Sequence, residues 1–307
     1  MARRKSRRHG KKTGQTESDP QTTFVVDRET TSESSLEFPV VGIGASAGGL
    51  DACTQLLEAL PGDAGMAFVL IQHLAPNHPS SLAEILSRAT PMPVTEGKNE
   101  DPVLPNHVYV IPAGQDMIIA SGRLQLSPRE IHGQHRPIDL FLRSLAEDRK
   151  YLAIAAVLSG TGTDGTIGLQ GIKAEGGITF AQDASAQHQS MPRSAIAAGC
   201  VDFVLSPIEI ARELTLIARS GLVAPSYGSE EAMSKLNLAD VVKTLHAATG
   251  IDFANYKTTT LLRRIARRMV LYKTESFANY ASYLREDPGE IQASLPGHSY
   301  PCHQVLS

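Results

Sequence analysis

Hydrophobic rhythm is missing from the first 37 residues of this chain and begins abruptly afterwards. Residues 1–37 open on the basic block MARRKSRRHGKK and continue through TGQTESDPQTT and ETTSESS, with almost nothing to bury; they read as a disordered tail. The run Phe38–Gly44 is apolar and β-branched, the pattern of a strand covered on both faces. It breaks on glycines into a helix whose Leu50, Cys53, Leu57 and Leu60 share a face, stopped by Pro61-Gly62. A second apolar run, MAFVLIQHL, reaches His73, and a helix is predicted from Pro79 to Arg88. Strand, helix, strand with wholly apolar strands predicts a parallel α/β sheet, three layers with helices on both faces.

The pattern continues in shorter pieces. Asn106–Ile111 and Met117–Ala120 predict strands, and Arg123–Leu126 after Ser121-Gly122 predicts a hairpin partner. A helix starts at Ile138–Leu145, and Leu152–Leu158 is another buried strand running into SGTGTDGTIG. Gly168–Glu175 reads as helix, Ile178–Ala181 as strand, Pro192–Ala198 as helix, Val201–Leu205 as the last strand and Pro207–Arg219 as the closing helix. The expected domain thus spans 38–220, followed by a linker at 221–235 and a partial all-α segment at 236–290. In that segment Lys257–Lys273 is amphipathic: Leu261, Leu262, Ile265, Met269 and Tyr272 fall on one stripe, and Arg263, Arg264, Arg267 and Arg268 on the opposite face. Residues 291–307 continue nothing before them and read as an unrelated or frameshifted tail. The apolar stripe, left without a partner domain, predicts loosely attached helices.

Composition adds exclusions. A 307-residue chain with 42% hydrophobic and 20% charged residues has ordinary globular character. No stretch approaches the ~18–20 apolar residues that span a bilayer, and no secretory signal follows the basic start, so no membrane insertion is expected. Three scattered cysteines, Cys53, Cys200 and Cys302, argue against a disulfide framework and for a reducing cytoplasm. His132 and His135 form an HxxH without a third ligand, so no metal site is expected. A basic tail can bind nucleic acid, but a solubilising role is the simpler reading, and no nucleic-acid partner is expected.

Three positions carry the chemistry. Gly44-Ala45-Ser46-Ala47-Gly48 fits G-x-S-x-G between a strand and a helix, the setting of a nucleophile elbow. The same glycines fit a dinucleotide-binding turn, which needs an acidic residue at the end of the second strand; that strand ends on Gln72-His73. A plain serine helix cap is the third reading. His73, at the end of the neighbouring strand, makes Ser46 a candidate nucleophile with a general base. Asp164, in the glycine-rich loop after another buried strand, lies on the same rim and supplies the carboxylate. The order Ser–His–Asp along the chain is that of none of the familiar protease or α/β-hydrolase triads.

GIGASAGG, IQHL, VYVIPAG, HRPIDLFLRSLA, LSGTGTDGTIG and QDASAQHQSMPRSAIAAGCVDFVL resemble, in this order, the catalytic domain of the chemotaxis methylesterase CheB over about residues 38–220. The resemblance implies a carboxylic ester hydrolase that removes γ-glutamyl methyl esters from methyl-accepting chemotaxis receptors and deamidates certain receptor glutamines, in the cytoplasm. It assigns Ser46 as nucleophile, His73 as base and Asp164 as its orienting carboxylate. It makes the backbone N–H of Thr161 an oxyanion donor, where the family usually has methionine, with Ala47 beside it. No cofactor is implied. The partners implied are the receptors' cytoplasmic helical region and other chemotaxis signalling proteins. The family's usual preceding receiver domain is not recognisable in residues 1–37, which leaves control by phospho-aspartate without a basis. The segment LADVVKTLHAATG…LREDPGE resembles the N-terminal helical part of the chemotaxis methyltransferase CheR. The S-adenosylmethionine-binding domain of that family should follow Glu290, but no glycine-rich turn does, so methyl transfer is not expected. Two other classes remain: a catalytically silent receptor-docking protein and a nucleotide-binding oxidoreductase.

Overall fold

The computed structural model describes residues 38–73, 81–129, 135–220, 238–249, 258–274, 276–287 and 290. The tail at 1–37, the linker at 221–235, His132 and the closing segment 291–307 lie outside the described residues. All described residues belong to one compact unit, Ser35–Ser307.

The chain builds β1 (Val40–Ala45), α1 (Gly49–Glu58), β2 (Ala67–Gln72), α2 (Leu82–Leu86), β3 (Val94–Glu96), β4 (Val108–Val110), the hairpin β5 (Gln115–Ala120) and β6 (Arg123–Pro128), then α3 (Pro137–Arg149). It continues through β7 (Ala153–Val157), α4 (Thr166–Ala174), β8 (Ile178–Gln182), α5 (Ser190–Ala197), β9 (Phe203–Leu205) and α6 (Pro207–Ser220). Among the described residues three further helices follow: α7 (Leu238–Thr249), α8 (Thr258–Leu271) and α9 (Phe277–Glu286). Seven strands form a parallel sheet in the order β3-β4-β2-β1-β7-β8-β9, and β5 pairs antiparallel with β6 outside it.

Strand alternation divides the core into two faces. Val41, Ile43, Phe68, Leu70, Ile154 and Ala156 point to one side, where α1 and α6 cover them. Val40, Val69, Ala155 and Val157 point to the other, under α3, α4, α5 and the hairpin. This is the expected three-layer α/β architecture. The edge strand β3 is not foreseeable from periodicity, because three residues pairing only with β4 carry no alternation. The helix expected from Pro79 to Arg88 is a single turn and a half, Leu82–Leu86, among the described residues.

The glycines of β1 have a packing role. A Cβ at Gly44 would stand 2.4 Å from Ile138, and one at Gly42 would stand 2.6 Å from Leu142. Their absence lets α3 lie directly on the central strand, which fixes where its first turn ends up.

The C-terminal helices depart from expectation. Ile265 and Met269 are buried in the same apolar core as Phe203, Ile210 and Leu214 of the sheet domain, so the stripe is not left bare. Arg267 and Arg268, expected on an exposed basic face, are buried. The Arg267 guanidinium donates to the Gly177 carbonyl at 3.0 Å and to both oxygens of Asp202 at 2.9 and 2.8 Å. Arg268 pairs with buried Glu290, which also accepts from the Tyr280 hydroxyl at 2.6 Å. A planar fork that meets carboxylates two bonds at a time can be taken out of water where a solvated basic face could not. The helices are therefore keyed to the domain rather than loosely attached. We expect Arg267→Ala, which strands the Asp202 carboxylate with Thr179 and Lys173, to cost about 3 kcal/mol in chemical denaturation. An unchanged unfolding midpoint would remove Arg267 as the anchor.

Candidate active site

The site is assembled by register. β1 pairs with β2 so that Ala45 stands opposite Gln72, which places Ser46 and His73 one step beyond the same end of the sheet. β7 pairs with β1 on the other side, and its extension lets the Ser46 N–H donate to the Ser159 carbonyl at 2.9 Å. The chain then turns sharply: Gly49 N–H returns to the Ser46 carbonyl at 2.9 Å, and Gly48 takes φ of 69°, in the left-handed region. A Cβ at Gly48 would also strike Ser159 and Gln187, so position 48 is doubly restricted to glycine.

Ser46, His73 and Asp164, three separate positions in the sequence, form one hydrogen-bonded chain. The Ser46 hydroxyl lies 3.2 Å from His73 Nδ1, and His73 Nε2 lies 2.9 Å from Asp164 Oδ2. With Nε2–H donated to the carboxylate, Nδ1 carries the lone pair that accepts the serine proton. The nitrogens are thus used in the reverse order from trypsin-like enzymes. The His73 side chain remains 31% exposed, while that of Asp164 is 5% exposed. Solvent and substrate can reach the imidazole but not the carboxylate.

Asp164 is held from four directions. Its Oδ1 accepts the N–H groups of Asp139 and Gly165, each at 2.9 Å, and its Oδ2 accepts that of Ile138 at 3.1 Å besides the His73 ring. Ile138 and Asp139 belong to the first turn of α3, so Asp164 caps a helix distant in sequence, not the helix that follows it. Burial pushes the carboxyl's pKa up, but the His73 hydrogen bond and the N–H groups of Asp139 and Ile138 outweigh it and hold the carboxyl below its ordinary range. The close approach of α3 to Gly42 and Gly44 is what brings that turn into place.

Ala47 and Thr161 are exposed beside Ser46, and among the described residues neither backbone N–H donates a hydrogen bond. Gly160, next to Thr161, passes so near Ser46 that an added Cβ would lie 3.0 Å from the serine Cβ. Ala47 follows Ser46 directly, and Thr161 follows the glycine that passes beside the Ser46 side chain. Thr161 has its neighbours tied down: Gly160 N–H donates to the His188 carbonyl at 2.9 Å and Gly162 N–H to the Ser190 hydroxyl at 3.1 Å.

Several residues were not marked by sequence reasoning. Ser159, fully buried, donates its hydroxyl to the Ala47 carbonyl at 2.8 Å and accepts the His188 N–H at 3.0 Å, while its own N–H goes to Gln182 at 2.8 Å. It stitches the nucleophile turn to β8. Asp139 accepts the Gly168 N–H at 2.8 Å and pairs with Arg136, whose other nitrogen reaches Thr163 at 2.7 Å. Burial, followed by other contributions that include the charge of Asp164, pushes the Asp139 carboxyl up. His135 binds Asp116 at 2.8 Å. Arg136 and Asp139 lie inside HRPIDLFLRSLA, so the stretch was visible, but only the fold turns it toward the site. Among the described residues no group of three or more His, Cys, Asp or Glu side chains could hold a metal ion. The dinucleotide reading loses its cradle, because α3 side chains fill the space over Gly42 and Gly44.

Residues 41–214 match the family model described as CheB methylesterase, and residues 236–295 match the one described as CheR methyltransferase, all-alpha domain. The protein-glutamate methylesterase/protein-glutamine glutaminase of Photorhabdus laumondii is 33% identical over 188 residues, 59% of this chain and 53% of that protein. A protein of the same description from Burkholderia lata is 38% identical over 178 residues, 56% of this chain and 49% of that protein. An uncharacterized 104.1 kDa protein of Rhodobacter capsulatus is 32% identical over 237 residues, 70% of this chain but 25% of that one. The chain therefore spans about half or less of the length of these relatives. The crystal structure of the Thermotoga maritima CheB methylesterase catalytic domain superposes with a TM-score of 0.54 at 30% identity, covering 59% of this chain and 98% of that one.

Proposed function

This chain belongs to the CheB methylesterase family, and from that premise we propose that it hydrolyses γ-glutamyl methyl esters, and deamidates glutamines, in the cytoplasmic helical region of methyl-accepting chemotaxis receptors. The observation that carries the proposal is the unbroken chain from the Ser46 hydroxyl through His73 to the buried Asp164.

The reaction follows from that geometry. Ser46 Oγ attacks the ester carbonyl as His73 Nδ1 takes its proton. Asp164 keeps the other proton on Nε2 and stabilises the imidazolium. The carbonyl oxygen becomes an oxyanion facing the N–H groups of Ala47 and Thr161, each such donor contributing about 10²–10³ in rate. Collapse expels methanol, protonated by His73, or ammonia from a glutamine. Water then repeats the sequence on the acyl-enzyme and releases the glutamate. Both N–H groups belong to the backbone, so threonine in the usual methionine position keeps the donor while reshaping the pocket. The receptor as partner places the work in the cytoplasm, alongside other chemotaxis signalling proteins.

Incubating the full chain with a receptor cytoplasmic fragment carrying labelled methyl esters should release labelled methanol, and a fluorophosphonate probe should label Ser46 and suppress the release. Absence of both labelling and methanol release would leave a docking protein with an inert triad.

A further inference from the structure

A second imidazole–carboxylate pair reaches the rim beside Ser46. His135 Nε2 and Asp116 Oδ1 are 2.8 Å apart, with both side chains largely buried, 18% and 13% exposed. The His135 ring centroid stands 6.3 Å from that of His73, the planes inclined by 44°. The two partners come from different elements. His135 lies just before Arg136, the cap of the helix whose first turn grips Asp164, and Asp116 is the second residue of β5, in the hairpin outside the main sheet. That hairpin is pinned to α3 by Ile119 N–H on the Ser144 hydroxyl at 3.0 Å and Gly122 N–H on Asp148. A structural element with no share in the triad thus sends a carboxylate to within one ring of it.

Charged groups from three elements stand at this end of the sheet among the described residues. Asp164, from the loop after β7, is bonded to the ring itself. Asp139 and Arg136, at the start of α3, face each other and offset one another. Ser46, from the turn after β1, is neutral. His135 and Asp116 form the second pair. With His135 neutral the pair carries one negative charge, and with His135 protonated it carries none; in neither state does it oppose a positive His73. Without the Asp116 carboxylate, the His135 imidazole would have no anion to balance a proton and would stand one ring from the base.

We propose that Asp116 and His135 form a positioning pair for the hydrolysis: His135 backs the His73 ring, and Asp116 keeps the electrostatics on that side favourable to the imidazolium that forms as Ser46 gives up its proton. The proposal rests on the reading of Ser46, His73 and Asp164 as the reacting set.

The test is the pH dependence of kcat/KM for methanol release from an ester-bearing receptor fragment. Asp116→Asn removes a negative charge near the forming imidazolium, so the acid limb should move to lower pH by roughly half a unit, and kcat should fall about threefold with KM little changed. His135→Gln, which keeps the Asp116 charge and offers it an N–H donor but removes the ring behind His73, should lower kcat while leaving the acid limb in place. An acid limb and kcat unmoved in folded Asp116→Asn would overturn the proposal. Should that variant not fold, Asp116→Ser removes the same charge and decides in its place; failure of both to fold would make the pair structural and overturn it equally. Absence of Ser46-dependent methanol release from the wild-type chain would instead defeat the reading beneath it.

Discussion

With alanine at position 46, the chain should fold normally and methanol release should fall by about 10⁵–10⁶, to the level that binding and the proposed oxyanion donors alone would leave. The size of the loss comes from removing the attacking oxygen itself, which the neighbouring imidazole cannot replace. The survival of the fold comes from how little that oxygen does structurally. It makes a single, part-buried contact at 3.2 Å to His73, while the turn is held by backbone bonds from Ser46 N–H to Ser159 and from Gly49 N–H to Ser46, all kept in alanine. Unfolding free energy should change by no more than about 1 kcal/mol. Methanol release and a melting curve on the same preparation check both halves. Wild-type activity in a folded Ser46→Ala protein would strike out the proposed mechanism.

Asp164→Asn should reduce kcat by about 10⁴, the cost of the corresponding change in trypsin-like enzymes, and here it should also weaken the fold. Both oxygens of Asp164 accept hydrogen bonds, Oδ1 from Asp139 and Gly165, Oδ2 from Ile138 and His73. An asparagine must turn its NH₂ toward one of those sets. Facing His73, it forces the ring proton onto Nδ1, where the serine can no longer be deprotonated. Facing Asp139 and Gly165, it sets donor against donor, at about 1–3 kcal/mol for each buried group left unmade.

The stability difference between wild type and Asp164→Asn should also depend on pH, with a definite sign. Burial raises the Asp164 carboxyl's pKa, but the bonds from His73, Asp139 and Ile138 bring it below the ordinary carboxylate value. A group whose folded pKa is depressed contributes stability that is fully present above its unfolded pKa and lost as pH falls through the folded one. The advantage of the wild type should therefore be constant near neutrality and shrink in acid, below about pH 4. Denaturant unfolding of both proteins across that range measures it. A drop in kcat of less than tenfold, with a pH-independent stability gap, would reduce Asp164 to a cap for α3.

Much of the site was legible along the chain because strand ends announce themselves. Ser46, His73 and Asp164 each follow an apolar run that can only be a buried strand, and in a parallel sheet such runs all end on one rim. The three-layer fold was legible for the same reason. What periodicity could not show is contact between distant segments: that Asp164 caps α3 rather than α4, that His135 finds Asp116, and that Ser159 binds the nucleophile turn to β8. The arginines of α8 make the point in the opposite direction. Their spacing draws a polar face, and a polar face alone reads as solvated. Only the positions of Asp202, Gly177 and Glu290 turn Arg267 and Arg268 inward.

The buried strands, the glycine-bounded turn at Ser46 and the placing of Ser46, His73 and Asp164 at strand ends were thus readable in the sequence itself, since each follows from the alternation of apolar runs with glycine breaks. Which nitrogen of His73 faces serine, which helix grips the carboxylate and which charged groups are taken out of water were decided only by the tertiary structure. These depend on distances between side chains far apart in the chain, and local pattern carries no information about them until α3 settles onto the bare glycines of β1.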